Sequence, residues 1–208
     1  MKRFCVLLLV CLAAACGQQA TTVNFATLQK AALKPGIVLQ PMCYNGKFLS
    51  ALKDSIEKYY PVSVTLSYSI NLPANAWYPA RKRYKADAIL GFLQSIKPAQ
   101  ARCVVGITDK DISTKKGNNA DYGVMGLGLQ PGKVCVVSTY RLQKNYPPDK
   151  LLFQRLLKTV VHEIGHNFGL PHCPNKHCIM ADAEGSLNQD KETGLCIVCK
   201  RNWRCNVG

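Results

Sequence analysis

The chain has 208 residues, of which 48% are hydrophobic and 19% are charged. This balance excludes a chain that is disordered throughout, and the length suits one domain with a real core. The formal net charge of +15 is compatible with anionic partners, but the basic residues are scattered. The tightest group, Arg81–Arg83, lacks the interleaved aromatic residues of a nucleic-acid platform. We therefore expect a solvated basic surface and no nucleic-acid partner.

The N-terminus has the pattern of an export signal. Lys2 and Arg3 precede twelve apolar residues, 4–15, a stretch too short to span a bilayer as a helix. A signal peptide is predicted over residues 1–15. Cys16 follows, so the segment resembles the lipobox of bacterial lipoproteins, in which this cysteine carries the lipid. We expect export, either as a membrane-anchored lipoprotein (periplasmic or at the cell surface) or as a secreted protein; an uncleaved apolar N-terminus is the third alternative.

Residues 16–40 are predicted to form an N-terminal tether or arm, and residues 41–208 a single domain. Apolar residues at helical spacing predict helices over 46–60 and 83–96, and alternation of apolar and polar residues predicts a half-buried strand over 62–68.

Further strands are predicted in the middle of the chain. The β-branched segments Cys103–Ile107 and Val134–Thr139 are typical of strands, the second of an interior strand. Between them, 115–121 is predicted to be a polar loop and 124–129 an irregular edge strand, because the latter contains two glycines.

A long helix follows, and the chain after Pro171 is irregular and rich in cysteine. The helix is predicted to begin near Asp149, and Gly169 stands where a C-cap glycine would. Its buried stripe consists of Leu152, Leu156, Val160, Ile164 and Phe168. The predicted class is α/β or α+β, with a mixed twisted sheet, this helix and a small C-terminal subdomain.

The long helix carries a metal-binding motif. His162 and His166 are four residues apart, so both imidazoles lie on one helix face and can bind one ion. A glycine break at Gly169 turns the chain back, so that His172 can supply a third ligand. The complete pattern, H-E-x-x-H-x-x-G-x-x-H, is the metzincin signature.

The residue between the first two ligands supplies the chemistry. Three neutral imidazoles leave one position of a tetrahedral zinc open for water. Glu163 faces the same cavity without being a ligand, and it is predicted to act as general base and to pass the proton to the leaving amine. The motif therefore predicts a zinc-dependent peptidase whose partner is a peptide substrate.

Four cysteines form a second candidate metal site. Cys173 and Cys178 are spaced C-x4-C, and Cys196 and Cys199 are spaced C-x2-C, a pattern that favours a tetrahedral structural zinc and hence two zinc ions per chain. The alternative in an oxidising compartment is two disulfides. His177, inside the first pair, is interpreted as an exposed loop residue.

The remaining cysteines and Met180 have simpler interpretations. Cys43, Cys103, Cys135 and Cys205 are buried thiols or form two bridges. One further alternative is a self-blocked enzyme, in which Cys43 or Cys205 occupies the open metal position. Met180 follows the third histidine closely and can pack beneath the metal as a hydrophobic base, without coordinating it.

The run HEIGHNFGLPHCPNKHCIM, followed after fifteen residues by CIVC, resembles the archaemetzincin family. Upstream, Val105–Asp111 is similar to the family's strand and Thr-Asp segment, and Val136–Leu142 to its interior strand. The resemblance implies a compact metzincin-like domain with Cys173, Cys178, Cys196 and Cys199 binding a second zinc. It also implies that a strand above the helix pairs with an extended substrate; here that segment is Gly123, Val124, Met125, Gly126 and Leu127.

The resemblance implies a peptidase, with aminopeptidase activity on short peptides as one form of it, and we expect a monomer. Three features depart from the family: the gap between Met180 and Cys196 is slightly short, Leu195 stands where an aromatic residue is common, and an export leader is unusual. The alternative function is a zinc-binding module that contacts nucleic acid or a protein partner without catalysis. Glu163 discriminates between the two, because a purely structural zinc has no use for a carboxylate beside an open position.

Overall fold

The computed structural model describes residues 36–183 and 185–207, except for the side chains of 188 and 204–207. The predicted signal peptide, the lipidation site Cys16 and most of the predicted arm lie outside the described residues, so export and anchoring stay predictions. Within the described part, no helix combines the length and the apolar character needed to cross a membrane.

The described residues form nine strands and four α-helices. The strands are β1 Gly36–Pro41, β2 Ser63–Leu66, β3 Trp77–Tyr78, β4 Arg83–Lys85, β5 Cys103–Thr108, β6 Ile112–Lys116, β7 Asn119–Val124, β8 Gly126–Gly128 and β9 Val134–Ser138. The helices are α1 Leu49–Tyr59, α2 Ala86–Ile96, α3 Asp149–Asn167 and α4 Ile197–Val207.

The main sheet has the strand order β2-β1-β5-β9-β8, in which the first four strands are parallel and β8 is an antiparallel edge. Every residue of β1, β5 and β9 is buried, because helices cover both faces of the sheet. The predicted class, with its mixed sheet, is confirmed. Residues 36–40, which the sequence analysis placed in the arm, are instead an interior strand of this sheet.

A smaller, second sheet has the strand order β3-β4-β6-β7, so its strands are arranged in the order in which they occur in the chain. Its β6–β7 hairpin contains residues 115–121, which were predicted to be a loop; that prediction is wrong. The sequence hides the strands because residues 115–120 are exposed, so no apolar alternation marks them. The predicted helix over 83–96 also begins later, at Ala86, because residues 83–85 form β4.

Helix α3 is fixed against the main sheet by its apolar face. Leu156, Val160 and Ile164 are fully buried in the larger core, which α1 and the C-terminal part of the chain complete. Tyr60, just after α1, donates a hydrogen bond from its hydroxyl to the Val161 carbonyl, 2.8 Å away. Tyr60 also packs edge-on against Trp203 of α4. The core thus holds the C-terminal half of α3, which carries the histidine motif, in a fixed position.

Candidate active site

Helix α3 presents two histidines to one point in space. His162 and His166 are one helical turn apart, and their Nε2 atoms are 2.9 Å from each other. Between them lies Gly165, where a Cβ would collide with the sulfur of Met180. The side chain of Met180 therefore lies directly beneath the helix at the level of the two rings, where the sequence predicted a packing residue.

The chain reverses immediately after the helix and brings in the third histidine. Gly169 has a φ of +83°, as predicted for the break in the motif, and the Leu170 N–H donates to the Gly165 carbonyl at 2.9 Å. The ring centroid of His172 consequently lies 4.8 Å from that of His166 and 5.4 Å from that of His162. One ligand atom from each of the three histidines lies within 4.8 Å of the others.

Hydrogen bonds at the opposite ring nitrogens orient two of these imidazoles. Nδ1 of His162 lies 2.6 Å from the Ile179 carbonyl oxygen, and Nδ1 of His166 lies 2.8 Å from that of Leu170. A carbonyl only accepts, so each Nδ1 carries the proton and each Nε2 keeps a lone pair for a metal. Burial, with the neighbouring His166, lowers the pKa of His162 to about 4, and burial also lowers the pKa of His166. Both rings are neutral at pH 7, and the donor set fits zinc.

Glu163 lies beside this centre but is not one of the three converging ligands. Its side chain is buried, and burial raises its pKa to about 8, although the Gly128 N–H donates to the carboxylate and opposes that rise. A cation held by the imidazoles would favour the carboxylate form, because an opposite charge lowers a carboxyl pKa. The position and the tunable protonation suit a group that exchanges protons with a substrate.

The segment predicted to bind substrate is divided between two sheets. Gly123 and Val124 belong to β7, which pairs with β6 and forms the edge of the small sheet. Gly126 and Leu127 belong to β8, which is the edge of the main sheet. The Ser138 N–H donates to the Met125 carbonyl, and the Leu129 N–H to that of Val134. Since these odd-numbered residues bond to β9, the peptide groups of Gly126 and Gly128 face away from β9.

Four cysteines converge at a second point. One Sγ from each of Cys173, Cys178, Cys196 and Cys199 lies within 4.8 Å of the others. The Cys173 and Cys196 sulfurs are 3.8 Å apart, far beyond the bond length of a disulfide, about 2.05 Å. The seven cysteines whose side chains the structure describes are all free thiols. Backbone hydrogen bonding from Cys199 lowers the pKa of Cys196 to about 7, which favours a thiolate ligand.

Other residues singled out by the sequence lie away from both centres. His177 is exposed and close to the Lys191 carbonyl. Cys43 has Asn71 as its contact and does not line the cleft above the histidines, so the structure does not place it at the open position. Cys103 and Cys135 are buried thiols. The side chain of Cys205 lies outside the described atoms.

The three histidines and Glu163 lie on the floor of a cleft of about 1210 Å³. One wall consists of β6, β7 and the segment 140–146, and another of the segments 181–183 and 185–192. Sequence reasoning missed several cleft residues, among them Gly128, Arg141, Arg155 and Gln189. They belong to separate segments of the chain, so no local motif marks them.

The regions that match known proteins include nearly the whole domain that the structure describes. The model of peptidase family M54 matches residues 47–204. The chain is 36% identical over 183 residues to an archaemetzincin of Thermococcus kodakarensis, which covers 82% of this chain and 96% of that protein.

Two solved structures are also similar to this chain. The archaemetzincin of Methanopyrus kandleri is similar with a TM-score of 0.72 and 30% identity, over 84% of this chain and 96% of that one. A zinc-dependent peptidase of Methanocorpusculum labreanum is similar with a TM-score of 0.70 and 26% identity, over 81% of this chain and all of that one, 100%.

Proposed function

The chain belongs to peptidase family M54, the archaemetzincins, a family of zinc-dependent peptidases, and from this premise we propose how its own residues hydrolyse a peptide. His162, His166 and His172 would hold the catalytic zinc, and Glu163 would be the general base. The observation that carries the proposal is the convergence of the three imidazoles beside a buried carboxylate on the floor of an open cleft.

A zinc ion held by the three imidazoles, with one position open, would lower the pKa of a bound water to about 7 and would polarise a carbonyl. The carboxylate of Glu163 takes a proton from the attacking water and later gives it to the leaving amine. The carbonyls of Ile179 and Leu170 fix the rings of His162 and His166, so the ligands need no reorganisation.

The edge strand β8 positions the substrate. Its outward peptide groups at Gly126 and Gly128 flank Glu163, and an extended peptide can add to this edge as a further antiparallel strand. Because the Gly128 N–H is engaged by Glu163, the N–H and carbonyl of Gly126 are the groups that pair with the substrate nearest the catalytic carboxylate.

A second zinc, held by Cys173, Cys178, Cys196 and Cys199, would bring the metal content to two per chain. The cluster is closed by four sulfur ligands, the arrangement of structural zinc sites. The backbone N–H of Cys173 donates to the Met180 carbonyl at 2.7 Å. The cluster therefore stabilises the segment that follows His172 and keeps Met180 beneath α3.

Short peptides with a free amino terminus are the substrates we propose. Asp182 lines the cleft, with a carboxylate oxygen 3.7 Å from Nδ1 of His172. A carboxylate near the reacting centre favours a substrate ammonium group. N-acetylation of a cleaved peptide should lower kcat/KM about tenfold or more; equal rates with and without the acetyl group would make the enzyme an endopeptidase.

The hydrolytic role is tested by Glu163→Gln, which removes the charge and keeps the shape. We expect unchanged zinc content and a fall in kcat of about 10²–10⁴-fold. Asp54→Asn, an exposed carboxylate on α1, is the matched control and should cleave at the wild-type rate. If the Glu163→Gln variant cleaved the same peptide as fast as wild type, the alternative of a zinc-binding module without catalysis would replace the proposal.

A further inference from the structure

Two glycines of the edge strand lie directly against the general base. A Cβ at Gly126 would be 2.5 Å from Oε1 of Glu163 and 2.8 Å from its Cγ. A Cβ at Gly128 would be 3.0 Å from Oε2 and 3.0 Å from the backbone oxygen of the same residue. Real Cβ contacts are almost never as short as the first of these, so the carboxylate occupies the space that side chains at β8 would need.

Backbone conformation gives no other reason for these glycines. Neither Gly126 nor Gly128 has a positive φ, and glycine weakens a strand because it has most conformational freedom to lose and no side chain to pack. What requires glycine is the close approach of Glu163. The Gly128 N–H, donated to the carboxylate, then fixes its orientation.

We propose that Gly126 and Gly128 are positioning residues for the general base: by lacking a Cβ they let the Glu163 carboxylate lie beneath the edge strand, and Gly128 holds it there. The inference rests on the proposed function of Glu163. It makes β8 part of the catalytic apparatus as well as a surface for the substrate, because the same two residues face both.

The test compares Gly126→Ala with Gly91→Ala. Gly91 is a matched control, since a Cβ there meets nothing within 4 Å. We expect Gly126→Ala to lower kcat at least tenfold with KM within threefold of wild type, because the peptide groups of the strand remain. Gly91→Ala should leave both unchanged. Zinc content should equal that of wild type in all variants.

A thermal double-mutant cycle in metal-free protein provides a readout besides activity. Gly126→Ala should lower the Tm in the wild-type background and leave it unchanged in the Glu163→Ala background, where the colliding atoms are gone. A second cycle uses activity. The fold-decrease in kcat of the double variant Gly126→Ala with Glu163→Asp should be smaller than the product of the two single fold-decreases, because the shorter Asp side chain leaves space for the Cβ that Gly126→Ala adds.

The outcomes separate the two proposals. If Glu163→Gln is inactive but Gly126→Ala behaves like Gly91→Ala, the positioning role is overturned and the hydrolytic role stands. If the Tm loss from Gly126→Ala is the same in both backgrounds, the clash is not with Glu163 and the positioning role is again overturned. If Glu163→Gln is fully active, the proposed function itself fails.

A separate observation concerns the charge of the cleft. Lys115, Lys116 and Lys144 are exposed residues on the wall made by β6 and the segment 140–146. Among the described residues, none of the three has a carboxylate within 4.0 Å. We call these three residues the lysine wall. Lys116 lies over the ring of Tyr122, with its nitrogen 4.9 Å from the ring centroid.

The other charges of the cleft are largely compensated. Arg155 is paired with Asp190, and Arg141 with Asp111. The Lys158 ammonium donates to two backbone carbonyls. The carboxyl group of Glu192 is buried, and burial raises its pKa to about 7. Among the described residues of the cleft, the lysine wall is therefore a concentration of exposed positive charge, and the exposed carboxylate of Asp182 lies apart from it beside His172.

We infer that the lysine wall binds acidic side chains, so that the cleft prefers peptides carrying Asp or Glu. This inference also rests on the proposed function. Peptide pairs that differ only by Asp→Asn or Glu→Gln provide the test. We expect kcat/KM to favour the acidic member about fivefold or more at low ionic strength, and the preference to shrink in salt.

The test uses a triple variant of the lysine wall and a control triple variant outside the cleft, and both carry the same change of charge. Lys115→Gln, Lys116→Gln and Lys144→Gln combined should abolish the preference and leave cleavage of the neutral peptide within twofold. Replacement of Lys58, Lys150 and Lys200, exposed lysines outside the cleft, should leave the preference intact. Equal cleavage of both peptides by the wild type overturns the inference, whereas failure to cleave either one counts against the peptidase function.

Discussion

Arg155 ties the active-site helix to both walls of the cleft, and its replacement by methionine is the most informative stability test. The Arg155 side chain is only 6% exposed. Its guanidinium group makes two parallel hydrogen bonds to the Asp190 carboxylate, at 2.8 and 2.7 Å. It also donates to the carbonyls of Leu142 and Lys144, at 2.8 and 3.1 Å.

The expected loss of stability follows from the hydrogen bonds that Arg155→Met removes. Methionine fills the space of the aliphatic stem, so the loss is of four hydrogen bonds rather than of packing. Hydrogen bonds to charged groups contribute about 1.5–3 kcal/mol each, but the Asp190 side chain is 37% exposed, so water partly replaces the lost partner. We expect a loss of about 2–4 kcal/mol in the free energy of unfolding, or about 5–15 °C in Tm for a domain of this size.

The pairing of Arg155 with Asp190 also makes the stability of the protein depend on pH in a definite direction. Hydrogen bonds from Arg155 hold the pKa of Asp190 below its ordinary value. A carboxyl group whose pKa is lowered by folding stabilises the folded state when the pH is above its pKa in the unfolded chain, about 4. That contribution is lost as the pH falls through its pKa in the folded state. Urea denaturation of wild type and Arg155→Met should therefore show a smaller difference at pH 3 than at pH 7.

Arg201→Met, an exposed arginine on α4, serves as the control and should change stability by less than about 0.5 kcal/mol. A loss below about 1 kcal/mol for Arg155→Met at pH 7, or an equal loss at both pH values, would refute the reasoning that this buried pair is an important support of α3.

Three further predictions concern the packing and the metal sites. Met180→Ala should destabilise the protein by about 2–5 kcal/mol in denaturant melts, whereas Met180→Leu should cost less than about 1.5 kcal/mol, because Met180 is fully buried beneath α3. Cys199→Ser should lower the zinc content measured by mass spectrometry by one per chain and lower the Tm; unchanged zinc would remove the cysteine site. Tyr60→Phe should cost about 1–2 kcal/mol in the same melts, since the buried Val161 carbonyl loses its partner; a neutral result would mean that water replaces the hydroxyl.

The features that the sequence predicted well are those encoded locally. Helix α3 carries its own apolar stripe, and the histidine motif has fixed offsets along it, so the helix and the convergence of His162, His166 and His172 follow from spacing. The break at Gly169 follows likewise, because a left-handed residue is marked by glycine.

The features that the sequence hid depend on distant partners. Strand β1 is only six residues long, and its place inside the sheet depends on pairing with β2 and β5 on either side. The segment 123–127 looks continuous in sequence, yet pairing with β6 takes Gly123 and Val124 into the small sheet while β9 takes Gly126 and Leu127. Register between strands is set by tertiary contacts, so no local pattern could divide this segment.

The role of Gly128 shows the same limit at the level of a single residue. A glycine in an edge strand predicts only a bend or a close approach. That the approaching group is the carboxylate of Glu163, which lies 35 positions further along the chain, is visible only once β8 and α3 are placed side by side.

The most direct measurement is the number of zinc ions bound by the full chain and by its His166→Ala variant, determined by native mass spectrometry. The three-imidazole centre predicts two zinc ions in wild type and one in the variant, with the cysteine site still filled. Two zinc ions in the variant would contradict the assignment, because the metal would then be held without one of the rings on which the whole mechanism depends.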